Sequence, residues 1–119
     1  MKQAAFIEVG MGIDLHGQDV TVACTRAIRN AIGHNSMPGI GTFLPNGDLH
    51  EMRVHVSLAV PIEQNNVDVE QVKAELPYGK IDIEIVEGGF KASSGIVLPE
   101  QGDKTDEMII VIAVVTVGY

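Results

Sequence analysis

The chain has no tryptophan, a single cysteine, and only three phenylalanines and two tyrosines among its 119 residues. With so few aromatics, its core must be built from Val, Ile, Leu, Met and Ala. Cys24 alone excludes an intramolecular disulfide framework and any cysteine-rich zinc site, which suits a reducing compartment. Basic residues are also scarce. Eight Lys and Arg stand against sixteen Asp and Glu, for a net charge of -8, and no basic cluster reverses that balance locally. Such a surface repels phosphate backbones and anionic lipid, so neither nucleic acid nor membrane is an expected partner. No segment approaches the length of a membrane span, and the opening MKQAAFIEVG is too polar and brief for a signal peptide. A cytoplasmic protein is expected.

What the chain does have is 45% hydrophobic residues, enough for one globular domain over residues 1–119. Ala4 to Val9 reads as a first strand. Asp19 then suits a helix N-cap, and Val20, Ala23, Cys24, Ala27, Ile28 and Ala31 recur on one face. Thr21, Thr25, Arg29 and Asn30 are expected to face water or a partner, and Gly33 to close the helix in a left-handed conformation. SMPGIGTFLPNGD reads as a loop with a small hairpin at Asn46-Gly47. LHEMRVHVSLAVP alternates as a strand, with Glu51, Arg53, His55 and Ser57 on one face and Met52, Val54, Val56 and Leu58 on the other. EQNNVDVEQVKAELP predicts a short second helix capped by Asn66 or Asp68, with Val69, Val72 and Leu76 inward. KIDIEIVEGG alternates strictly, and FKASSGIVLPEQGDKTDE reads as a loop. MIIVIAVVTVGY, rich in Val and Ile, is expected to be a strand buried on both faces.

These elements predict a two-layer α+β sandwich: a mixed sheet of about four strands with two helices on one face, chorismate-mutase-like or ferredoxin-like. Two helices cover only one side of a sheet. A doubly apolar strand therefore implies that another subunit meets the open side or an edge, making a homo-oligomer.

Chemistry concentrates in GMGIDLHGQD, residues 10–19. It is not the dinucleotide fingerprint, because the third glycine position is Leu15. A helix start following it could bind an anion, but Asp14 and Asp19 oppose a naked phosphate. In extended backbone Asp14 and His16 project to one side about 6.6 Å apart, within reach of one divalent metal ion. A third ligand must come from elsewhere. A helix from Asp19 to Ile32 spans about 21 Å and puts His34 and His50 at the far end, where they could join only across a subunit boundary. His55 is the best partner within the chain. The opposing reading is structural: the glycines permit a tight strand-to-helix turn, Asp14 accepts backbone N–H groups and His16 is a hydrogen-bonded residue.

On Gly10, Gly12, Asp14, His16 and Gly17 the chain resembles a small family of unknown function from bacteria and plants, whose signature is G-x-G-x-D-x-H-G. The resemblance implies no activity. Over about eight residues the segment is also similar to methylerythritol cyclodiphosphate synthases, trimeric enzymes whose Asp and His bind a divalent metal; their later histidine motif is not evident here. The order of elements resembles the trimeric chorismate mutase type, whose active sites sit between subunits.

Weaker candidates complete the survey. Lys91 could activate Ser93 or Ser94, against the simpler reading of a solvated loop. Arg53 and His55 could bind a carboxylate and move a proton, or pair with Glu51, Asp82 or Glu84. Cys24 reads as a small core residue. Two function classes follow. The first is an oligomeric enzyme acting on a small polar metabolite, with His16 as acid-base or metal ligand, Asp14 orienting or ligating, and Arg53 and His55 contacting substrate; Gly10, Gly12 and Gly17 would bind a cofactor. The second is a ligand-binding or assembly module in which the motif is a structural turn.

Overall fold

The computed structural model describes residues Met1 to Tyr119. It is a mixed α+β fold with an open five-stranded sheet and three helices. In chain order these are β1 (Ala4–Asp14), α1 (Val20–Ile32), α2 (Ile40–Phe43), β2 (Arg53–Val60), α3 (Val69–Lys73), β3 (Lys80–Glu87), β4 (Phe90–Ser93) and β5 (Glu107–Gly118).

The apolar β5 takes the centre. It pairs antiparallel with β1 along one edge and with β2 along the other, and β2 pairs parallel with β3. Where β2 ends, β4 takes its place beside β5, Phe90 opposite Ile110 and Ser93 opposite Glu107. This fifth strand lies in a segment expected to be loop: four residues paired with a remote strand carry too short a pattern to be read locally.

One face of the sheet is the core. Val54, Val56, Leu58 and Val60 of β2 and Ile109, Val111, Ala113, Val115 and Val117 of β5 are buried there, and α1 lies over β1 and β5 while α3 lies beside α1 near β3. Alternate residues of β5, Ile110, Ile112 and Val114, are only half-buried on the other face. Burial on both faces is therefore not found in the single chain. The open face carries apolar rows: Ile13, Ile110 and Phe90; Met11, Ile112, Ala59 and Val86; Val9 and Val114. Its far corner is charged, with His55 and Ser57 opposite Asp82 and Glu84.

Gly10 to Asp14 of the glycine segment belong to β1, which corrects the expectation of a first strand ending at Val9. Gly10 and Gly12 face α1, and a Cβ on Gly10 would stand 2.7 Å from Ala31 Cα while one on Gly12 would stand 2.8 Å from the Arg26 carbonyl carbon. The helix answers with Ala23, Ala27 and Ala31, all buried. Four helical residues rise about 6 Å and two strand residues about 6.6 Å, so the two small-residue rows stay in step and backbone packs on backbone. α1 also seals the outer edge of β1: the Met11 N–H donates to Asn30 Oδ1 at 3.0 Å, and Arg26 Nη1 donates to the Ile13 carbonyl at 2.6 Å.

Other local expectations are corrected. Gly33 is right-handed, with φ -71°, and its N–H closes a helical bond to the Arg29 carbonyl. Thr21 and Thr25 are buried; Thr21 Oγ1 accepts the Asp68 N–H at 2.9 Å, tying α1 to the start of α3. No hairpin forms at Asn46-Gly47. Residues Leu49–Glu51 make a 3-10 turn in which Asp48 and Glu51 cap each other's backbone, so Glu51 and His50 lie outside β2. The cap of α3 is Asp68, whose side chain accepts the Gln71 N–H.

Candidate functional site

Between β1 and α1 the chain must reverse in five residues, from Leu15 to Asp19. Gly17 at φ +104° and Gln18 at φ +51° supply the left-handed steps. Asp14, at the buried end of β1, accepts the Asp19 N–H at 2.8 Å, and its other oxygen lies 3.5 Å from Arg26 Nη1. Asp19 in turn accepts the Thr21 and Val22 N–H groups at 3.0 and 3.1 Å. The Asp19, Thr21 and Val22 amides at this helix start are thus occupied by the chain's own carboxylates.

His16 points into the loop before β5. Its ring Nδ1–H donates to Asp103 Oδ2 at 2.6 Å; the His16 side chain is 17% exposed and that of Asp103 only 1%. Asp103 also accepts the Gly17 N–H at 2.6 Å, the Leu98 N–H at 2.9 Å and the Gln18 side-chain amide at 3.1 Å. Burial pushes this carboxyl upward, but the donors from Leu98, Gly17, His16 and Gln18 outweigh it and hold the pKa down at about 2. Gln18 completes the lock. Its amide nitrogen donates to the Glu107 carbonyl at 2.7 Å and its oxygen accepts the Lys104 N–H at 2.9 Å.

Asp103, Gln18 and Arg26 were not legible as site residues. Asp103 lies in an acidic loop with Glu100 and Asp106, and nothing local distinguishes it. Of the residues expected to cooperate, Asp14 and His16 share the turn but serve different partners. His55 is not near them: Asp14 pairs with Ile109 and His55 with Thr116, a rise of about 23 Å along β5. Arg53 sits beyond His55 on the same strand, so the four candidate catalytic residues fall into two groups at opposite ends of the sheet. His34 and His50 join neither group; His50 pairs with Asp48 at 2.9 Å.

Metal chemistry finds no donor set in this arrangement. No three His, Cys, Asp or Glu side chains are placed to hold one metal ion together. The Asp14 carboxylate is held by an amide and faces a guanidinium, and one ring nitrogen of His16 is committed to Asp103. Gly10 and Gly12 lie under α1, where no cofactor has access, and Gly17 gives its N–H to Asp103. The nearest cavity, about 130 Å³, is lined by Gly17, Gln18, Ile62, Glu63, Lys104, Thr105 and Glu107, not by Asp14 or His16.

On the open face His55 Nδ1–H donates to Asp82 at 2.7 Å, while its Nε2 lies 3.3 Å from both Glu84 and Ser57 Oγ. This has the connectivity of a serine triad, but Ser57 donates to Glu84 at 3.2 Å and the surrounding N–H groups are taken up in the sheet ladder rather than aimed at an oxyanion. Lys91 pairs with Glu107, Ser93 donates to Asp106 and Ser94 donates to the Ile96 carbonyl, so no Lys–Ser pair forms. Cys24 is fully buried, and burial first, then the nearby Asp19 charge, pushes its thiol up to about 12.

Fold and turn together define a small α+β domain with an Asp-His-Gly turn locked by a buried acid and one sheet face left uncovered. The chain belongs to the family of conserved hypothetical proteins Lin0512_fam, which it matches over residues 4–117. It is similar to a crystal structure from Nostoc punctiforme PCC 73102, described as an FtsZ-like protein of unknown function: 44% identity, TM-score 0.86, covering 97% of this chain and 93% of that one. No curated protein matches it. No helix is long and apolar enough to cross a membrane.

Proposed function

We propose that this chain is a homo-oligomeric assembly module and that its open sheet face is the contact between copies. The observation that carries this reading is the exposure of contiguous apolar side chains on that face, Ile7 at 68%, Val9 at 65% and Phe90 at 62%. Covering each such side chain stabilises an assembly by about 1 kcal/mol, and monomers seldom leave so continuous a row in water. A second copy brings the same apolar rows, as an isologous contact requires. Edge-to-edge association through β1 is disfavoured because Asn30 and Arg26 already occupy its outward Met11 N–H and Ile13 carbonyl.

The order of elements, with β2 and β3 parallel, favours the chorismate-mutase-like over the ferredoxin-like reading, and in that type functional sites lie between subunits. A second reading rests on the His16–Asp103 pair. Asp103 fixes Nδ1 as the donor, which leaves Nε2 free to take a proton from a small metabolite at an interface.

Sedimentation of the wild type at micromolar concentration should give a multiple of the 12.7 kDa chain mass. Val9→Lys should return it to a monomer with an unchanged circular dichroism spectrum. Wild-type protein that sediments as a monomer overturns the assembly reading. His16→Ala separates the two readings: lower thermal stability with metabolite binding and mass unchanged leaves His16 as part of the lock alone.

A further inference from the structure

The helix-covered side of the sheet is incompletely filled past the carboxyl end of α1. A cavity of about 190 Å³ opens there, floored by Val54, Val115 and Val117 and walled by Ile32, Met37 and Met52. No Lys, Arg or His lines it, and its one carboxylate is Glu8. Glu8 is on the helix-facing side of β1, directly across from the fully buried Val115. It sits at the negative end of the α1 dipole, where Asn35 Nδ2 donates both to Glu8 Oε2 at 2.6 Å and to the Ala31 carbonyl at 3.0 Å. A carboxylate is disfavoured at that end of a helix. None of the chain's ion pairs includes it. A carboxylate held by one amide and without a cationic partner therefore stands beside an apolar chamber.

We propose that this cavity binds a small primary amine, with its ammonium on Glu8 and an apolar body of about four to six carbons over Val54, Val115 and Val117. The size follows from volume, since a dry cavity of about 150 Å³ accepts a benzene ring. The charge follows from Glu8: an ammonium gains a charge-assisted hydrogen bond, an alcohol only a neutral donor, and a carboxylate is repelled. The cavity lies on the side of the sheet opposite the proposed subunit contact, so the two readings stand or fall separately.

The test is a titration of wild-type protein with pentylamine, pentan-1-ol and pentanoate, followed by the methyl resonances of Met37 and Met52. Pentylamine should shift both methyls saturably, with an affinity in the millimolar range or better and at least tenfold above that of pentan-1-ol. Pentanoate should leave them unmoved. Glu8→Gln should lower the amine to the level of the alcohol while the alcohol's own affinity is kept. Absence of a saturable shift with pentylamine, equal affinity for amine and alcohol in the wild type, or an amine preference that survives Glu8→Gln would each overturn the proposal.

Discussion

Gly12→Ala is the substitution that most directly tests how this domain is held together. The added methyl would stand 2.8 Å from the Arg26 carbonyl carbon and closer still to the Ala23 carbonyl oxygen and the Ala27 amide. Carbon–carbon contacts settle at about 3.5–4.0 Å, so α1 must retreat by about 1 Å along its contact with β1. No side chain can absorb the displacement, because the obstructing atoms are backbone. Overpacking of this kind costs about 3 kcal/mol, offset by under about 1 kcal/mol from the lower entropy of the unfolded chain. A net loss of about 2 kcal/mol lowers Tm by roughly 8 °C in a domain of this size. Gly10→Ala should behave alike, and the double variant should cost less than the sum, because a helix already displaced by one methyl admits the second. Urea denaturation followed by circular dichroism gives the midpoint, with Gly41→Ala as control since nothing lies within 4 Å of its new methyl. If Gly12→Ala and Gly41→Ala share the wild-type midpoint, backbone-on-backbone packing of α1 against β1 is refuted.

Two further outcomes follow from the site and the core. Asp103 has a folded pKa of about 2 and an ordinary unfolded value of about 3.9, so its contribution is full above about pH 4 and disappears as the pH falls through about 2; the gap in Tm between wild type and Asp103→Asn should therefore narrow across that window, and a gap independent of pH would contradict the lock. Cys24, with its thiol raised to about 12 by burial, should resist a thiol-specific disulfide reagent at about pH 8 in the native protein and react fully in denaturant, whereas rapid native labelling would show an opening of α1 that the packing does not allow.

What the sequence determined by itself is local and periodic. The three-four spacing of Val20, Ala23, Cys24, Ala27 and Ile28, with Asp19 before it, marks α1 at its observed bounds. Strict alternation from Lys80 marks β3 and the direction its isoleucines face, and Asp68 marks the start of α3. These features are legible because a repeat of 3.6 or 2 and a cap operate within a few residues. The tertiary structure alone decided the rest. Gly10 and Gly12 read as part of a tight strand-to-helix turn until α1 is laid on them. His16 and Asp103, 87 residues apart, meet only because β5 returns beside β1. The same pairing carries His55 to the other end of the sheet from His16, and it gives β4 a partner that its own four residues do not announce. β5 is largely apolar on both faces, and only the packing of α1 against one of them decides which face is covered and which is left open. Contacts between remote segments leave no period in either one, so they become visible only when the chain is folded.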